Sequence, residues 1–155
     1  AKLKDGEFDA IILAMAGINR LDLSKEVKYV SVLNTIAAMG QGALGIEAVD
    51  RADILEAIEF LNDEKSVIET TIERAFVHKL NGGCQAPIGV SARLDGDKIC
   101  VRAILGTPDG KEIFKDERVF NKAEYKEAGE ILADEFISQG AKELLAKAEQ
   151  IASQI

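Results

Sequence analysis

Between residues 98 and 105 apolar residues recur at every second position. Ile99, Val101, Ala103 and Leu105 fall on one side, Lys98, Cys100 and Arg102 on the other. A period of two is that of a β-strand, and a one-sided apolar set fits an antiparallel sheet with one covered face. Turn residues bracket the stretch: Asp95-Gly96-Asp97 before it and Thr107-Pro108-Asp109-Gly110 after it. Connections this short join antiparallel neighbours, since a parallel pair needs a long crossover. Strands are therefore expected over residues 90–94, 98–105 and 112–120.

Such a sheet needs helices on its apolar face, and the flanking sequence provides them. Ile68, Ile72, Ala75, Phe76 and Leu80 recur at helical spacing. Ser66-Val67-Ile68-Glu69 reads as a capping box at the start of that helix. Asn81-Gly82-Gly83 stops it, and Lys79 suits the negative end of its dipole. After the sheet, Ala128, Ile131, Leu132, Phe136 and Ile137 form a second stripe, continued by Leu144, Leu145, Ala148 and Ile151 beyond Gly140. Helix, three antiparallel strands, helix is the order of a two-layer α+β domain with its helices on one sheet face.

The segment before Asn62 reads differently. Residues 8–14, 29–33 and 43–49 are short apolar runs of the buried-strand kind, and Asp53 is placed to cap a helix carrying Ile54, Leu55, Ile58 and Leu61. Few helices are available to cover these strands. They look like the ends of α/β domains that begin outside this sequence.

Charge narrows the function. The 155 residues hold 19 Lys and Arg against 27 Asp and Glu, a formal −8. Nucleic acid needs a clustered basic surface and is not an expected partner. A polyanionic small molecule would need local arginines, drawn from Arg20, Arg51, Arg74, Arg93, Arg102 and Arg118. Two cysteines, Cys84 and Cys100, are too few for a disulfide framework and fit a reducing cytoplasm. The longest apolar run, residues 10–18, is too short to span a membrane.

Individual motifs divide into bland and chemical readings. Gly40-Gln41-Gly42-Ala43-Leu44-Gly45 matches G-x-G-x-x-G, but the acidic residues downstream follow a helix rather than a strand, so a turn or a close backbone approach is expected instead of a dinucleotide site. His78, the single histidine, lies off the apolar stripe and is expected in solvent; no metal site follows from it. Cys100 lies mid-strand and reads as structural. Arg74 reads as a structural ion pair, and Arg20 as a cap or a surface pair. Cys84 stands apart: Gly82-Gly83 precede it and Pro87 follows, which exposes the sulfur on a stiff loop. A helix C-terminus just before it disfavours the thiolate, which suits a sulfur alkylated once better than a cycling nucleophile.

Taken in order, these blocks resemble the porphobilinogen deaminase (hydroxymethylbilane synthase) family. They are Asp9-Ala10-Ile11-Ile12-Leu13-Ala14 with Ala16-Gly17 and Arg20-Leu21; the Gly40–Glu47 block; Glu73-Arg74-Ala75-Phe76; Gly82-Gly83-Cys84-Gln85-Ala86-Pro87-Ile88-Gly89; and Pro108-Asp109-Gly110. The likeness runs the whole chain and corresponds to the C-terminal half of family enzymes, which are about twice this length. It implies two α/β domains of periplasmic-binding-protein type, of which residues 1–62 are terminal segments, and an α+β cofactor-attachment domain over 63–155. It implies a dipyrromethane cofactor held through a thioether to Cys84, on which four porphobilinogen units are condensed with loss of ammonia before hydroxymethylbilane is released. Arg20 matches an arginine that binds substrate or cofactor carboxylates, and Gln41, Gly42 and Ala43 match the segment lining the cleft. No catalytic residue is expected in this chain, because the family's catalytic aspartate belongs to the other half. The expected partners are porphobilinogen, the growing oligopyrrole, and the missing half or a second copy of the chain through residues 8–49. A non-enzymatic α+β interaction module is the alternative. Two departures stand out: Glu47-Ala48-Val49 replaces the family's Glu-Cys-Arg, and Ala37 stands where the family has proline.

Overall fold

The computed structural model describes residues 2–26, 29–83 and 86–153. They form two units, Ala1–Thr35 and Ile36–Ile155.

Within the larger unit, the first long helix begins at an aspartate. Asp63 has extended backbone (φ −103°, ψ 115°), and one of its carboxylate oxygens accepts from both the N–H and the hydroxyl of Ser66 at 2.7 Å. Asp63 is thus the N-cap of a helix over Glu64–Lys79, which would otherwise have an unpaired amide in its first turn. The capping box expected at Ser66–Glu69 does not form. A charged acceptor three residues upstream takes the same role more strongly, and Glu69 instead accepts from the Leu94 N–H at 2.8 Å. The stop is as expected in place, with Asn81 as the left-handed residue (φ 55°). Asn81 N–H donates to the His78 carbonyl and Gly82 N–H to the Val77 carbonyl, the paired bonds of a Schellman ending.

Strand β1 covers Ile88–Asp95, β2 Lys98–Gly106 and β3 Ile113–Asn121, in the spatial order β1-β2-β3 with both pairings antiparallel. Asp95 faces Lys98 across a two-residue turn in which Gly96 takes φ +58°. The second turn is held by Thr107, whose hydroxyl donates to Asp109 Oδ1 at 2.6 Å and accepts from the Glu112 N–H at 3.2 Å. Each strand lies within two residues of its expected bounds, and Ile99, Val101, Ala103 and Leu105 are fully buried on the expected face.

That face is covered by helices. Along the chain, α1 is Met15–Arg20, α2 Ala52–Ile58, α3 Glu64–Lys79, α4 Tyr125–Ser138 and α5 Ala141–Ala152. Ile68, Ile72 and Phe76 of α3 meet Ala128, Leu132 and Phe136 of α4 in one core, with Leu144 and Leu145 of α5 joining it. The Phe76 and Phe136 rings stand edge to face at 5.2 Å. Helices α3 and α4 approach closely because Gly129 has no side chain; a Cβ there would lie 2.3 Å from the Ile72 carbonyl oxygen. The stripe on α4 is narrower than expected, since Ile131 is exposed.

The first 62 residues differ most from expectation. Helix α2 is present, but Asp53 lies in its first turn, tied to Arg51 (Nε to Oδ1, 2.9 Å), and Arg51 holds the cap position. Residues 8–14, 29–33 and 43–49 form no strand among the described residues. Apolar sequence makes a segment suitable for a sheet, but a strand exists only where a partner backbone completes the ladder. Ile12 (83 % exposed) and Leu44 (90 %) show how far these segments are from a buried sheet.

Candidate functional site

The Gly-rich block is a turn. Gly40 and Gly42 take φ +71° and +90°, conformations that glycine adopts without strain, and the Ala43 N–H donates to the Gly40 carbonyl at 3.2 Å. No strand leads into the block and no helix opens from it, so the dinucleotide fingerprint lacks both supports. Gln41, Gly42 and Ala43 are all exposed. Among the described residues, no partner is taken by the backbone N–H groups of Gln41 and Gly42.

This turn is tied into the α+β core through the backbone that leads to it. Val90 N–H donates to the Ala37 carbonyl at 2.9 Å, and Met39 packs against the core. Gly89 has no room for a side chain because a Cβ would lie 2.6 Å from the Ile36 carbonyl oxygen. The Gly40 N–H then donates to Glu73 Oε2 at 2.7 Å, while Glu73 Oε1 accepts from the Ala92 N–H at 3.0 Å. Burial raises the Glu73 pKa above the ordinary glutamate value, against the lowering effect of these two bonds and with help from nearby Glu69. The segment before the turn thus runs beside the strand that follows the Cys84 loop.

Cys84 itself lies outside the described residues. At the ends of its block, a Cβ on Gly82 would meet Ile88 Cδ1 at 2.5 Å, and Ala86 N–H donates to the Gly83 carbonyl at 3.0 Å. Arg20 is the last residue of α1, in the other unit, and is exposed with no ion pair among the described residues. Gln41, Gly42 and Ala43 share one turn of the larger unit, and Arg20 belongs to the smaller one.

The remaining candidates lie elsewhere on the larger unit. His78 is exposed, as expected. Arg74 is exposed and makes no ion pair among the described residues, whereas Lys79 one turn later pairs with Glu130 and Asp134 of α4. Burial, then the Glu117 carboxylate, push the Cys100 thiol up, away from the reactive thiolate. Arg51 is engaged by Asp53, so it is not a free replacement for the arginine missing after Glu47. An open cleft of about 830 Å³ runs between the 42–46 segment, α2 and the first turns of α3. Glu56, Glu59 and Asp63 line it without a cation, which does not suit an anionic ligand. Sequence reading missed Glu73. Its signal was a carboxylate set between the stripe residues Ile72 and Phe76, one turn after Glu69.

Two family models match the chain in succession. The first, described as porphobilinogen deaminase, dipyromethane cofactor binding domain, matches residues 1–57. The second, described as porphobilinogen deaminase, C-terminal domain, matches residues 67–138. The chain belongs to the porphobilinogen deaminase family. It is similar to the porphobilinogen deaminase of Campylobacter fetus, at 71% identity over 97% of this chain. It is also similar to that of Campylobacter hominis, at 60% over 97% of the chain, and to that of Campylobacter jejuni, at 58% over 97%. Each match covers 50% of the relative, so the chain spans about half the length of the porphobilinogen deaminases it resembles. No helix of the described residues is long and apolar enough to cross a membrane.

Proposed function

We propose that this chain is the Cys84-bearing part of a cytoplasmic porphobilinogen deaminase, a transferase that condenses four porphobilinogen molecules into hydroxymethylbilane with release of ammonia. The observation that carries this reading is the 71% identity along nearly the whole chain to a protein of that name. In this reading residues 1–62 complete two α/β domains, and residues 63–155 are the cofactor-attachment domain.

Cys84 and Arg20 have the chemistry that a carboxylate-rich dipyrromethane calls for, and in this reading its carboxylates do not enter the cleft lined by Glu56, Glu59 and Asp63. Cys84 holds it through a thioether, and the exposed 40–43 turn supports the fit with its unpartnered Gln41 and Gly42 amides. Bound there, the dipyrromethane supplies the pyrrole carbon to which new units are joined. Arg20 contributes a guanidinium fork for acetate and propionate groups, which the acidic chain as a whole repels. Gly42 has nothing within 4 Å of where a Cβ would stand, which leaves that side of the turn open to a flat ligand. The general acid, an aspartate in this reading, comes from the half of the relatives that this chain does not match. By itself the chain is expected to consume no porphobilinogen.

Intact mass tests the attachment. Expressed with the other half, the chain should gain the mass of two pyrrole units, and Cys84→Ala should lose it. An unmodified parent thiol would sink this reading. The exposed apolar residues of segments 8–14, 29–33 and 43–49 support a partner, which is the remaining half or a second copy of the chain. Light scattering should find the full chain associated; a monodisperse, folded monomer would refute that part.

A further inference from the structure

Glu73 has no role in the reading above, yet it joins three elements. It projects from α3, is 8 % exposed, and gives one oxygen to the Gly40 N–H and the other to the Ala92 N–H of β1. We propose that Glu73 is a positioning residue that holds the 40–43 turn at a fixed distance from the strand following the Cys84 loop. This deepens, and rests on, the reading that Gln41, Gly42 and Ala43 line the site.

The chemistry is that of a two-sided acceptor. An ionised carboxylate has two acceptor oxygens and no donor, so it satisfies two converging N–H groups at once. A glutamine of the same length keeps one acceptor and turns an NH₂ toward the second N–H, where no bond is possible. Ala92 is fixed in register opposite Val101, while Gly40 sits in a loop. When one bond must go, it is the Gly40 bond.

Protonation acts like the glutamine. Glu69, one turn earlier, is the charged group that bears on Glu73, and on the turn and on β1 it meets backbone amides. The raised pKa of Glu73 means that the native state holds its proton more tightly than the unfolded chain does. The corresponding stability is fully present below the ordinary glutamate pKa of about 4.3 and is lost as pH rises through the raised value. Acidification through that range therefore frees the turn without weakening the fold on account of Glu73.

The test is amide hydrogen exchange on the 155-residue chain, read residue by residue by NMR and corrected for intrinsic rates. In Glu73→Gln, Gly40 should exchange at least about tenfold faster, while Ala92, which keeps the glutamine oxygen, and Val101, on the central strand, change less than about threefold. In the parent, Gly40 should lose protection as pH falls through the Glu73 range, and the variant should show no such profile. Equal Gly40 protection in parent and variant would overturn the proposal. Should the variant fail to fold, a flat Gly40 profile in the parent overturns it as well. In the enzyme completed with its other half, Glu73→Gln should lower kcat for porphobilinogen with the melting temperature unchanged; unchanged kcat would overturn the link to the site. A parent that neither carries the pyrrole adduct nor turns over would defeat the functional reading, while faster Gly40 exchange in the variant would still support the positioning role of Glu73.

Discussion

The residues from Asp63 onward and the segments before Thr35 contain similar apolar side chains and use them in opposite ways. In the first region Ile72, Phe76, Ile99, Leu105 and Leu132 are fully enclosed, and the outward amides of edge strand β1 find acceptors: Val90 in Ala37, Ala92 in Glu73 and Leu94 in Glu69. In the second, Phe8, Ile11, Ile12, Leu13, Val32 and Leu33 are exposed and no ladder forms among the described residues. Hydrophobicity sets what a residue gains from burial. Whether the burial happens depends on a partner being within reach.

The sharpest way to break this contrast is to cut one side chain in each region. Phe76→Ala should cost about 3–5 kcal/mol, because it removes a buried ring and its edge-to-face contact with Phe136. Ile12→Ala should fall within about 0.5 kcal/mol of the parent in the same urea titration, run dilute enough to keep the chain monomeric. Comparable costs at the two sites would mean that Ile12 is enclosed in the monomer. Next comes Gly129→Ala, where a methyl group meets backbone of α3 and cannot be accommodated by a side-chain rotation. It should destabilise by about 1–3 kcal/mol, checked by the same titration.

A smaller effect locates the start of the folded region. A chain beginning at Asp63 should be less stable than one beginning at Ile36 by about 1 kcal/mol per bond lost, since Val90 loses the Ala37 carbonyl but gains access to water. Equal stability would show that residues 36–40 are bystanders. The smallest effect is a dependence on pH. Thr107 and the Lys111 amide hold Asp109 down at a pKa of about 2, and hydrogen bonds likewise lower Asp63 and Glu124. Stability from such groups is present above the ordinary carboxylate pKa and fades as pH falls through the lowered one. The difference in urea midpoint between the parent and Asp109→Asn should be full near pH ~6 and shrink toward pH ~2. A difference that does not vary with pH would remove Asp109 from this account.

The legible parts of the fold were those written locally. The hairpins could be read because alternation and turn residues lie within a few positions of each other, and β2 carried both signals at once. The helix start could be read only to within a turn, because Ser66 and Asp63 both offer an oxygen to the same amides and the choice between them depends on charge. The segments at 8–14, 29–33 and 43–49 have the composition of strands but form none among the described residues, because the backbone that would complete a ladder is a matter of tertiary structure. At the site, the glycines of the 40–45 block were legible as a turn. What holds that turn was not, since Glu73 lies 33 residues from Gly40 and nothing in the spacing links them.

The acceptors along the outer edge of β1 also have an order in time. Ala37, Glu69 and Glu73 all precede Val90, Ala92 and Leu94 in the chain, and synthesis runs from the N-terminus. When β1 leaves the ribosome, every group that will cover its outer edge has already been made, while β2, which pairs its inner edge, is still to come. At roughly 5–20 residues per second, the nascent strand waits for its hairpin partner with one edge already provided for. A neighbouring nascent chain seeking a strand to join would find that side taken.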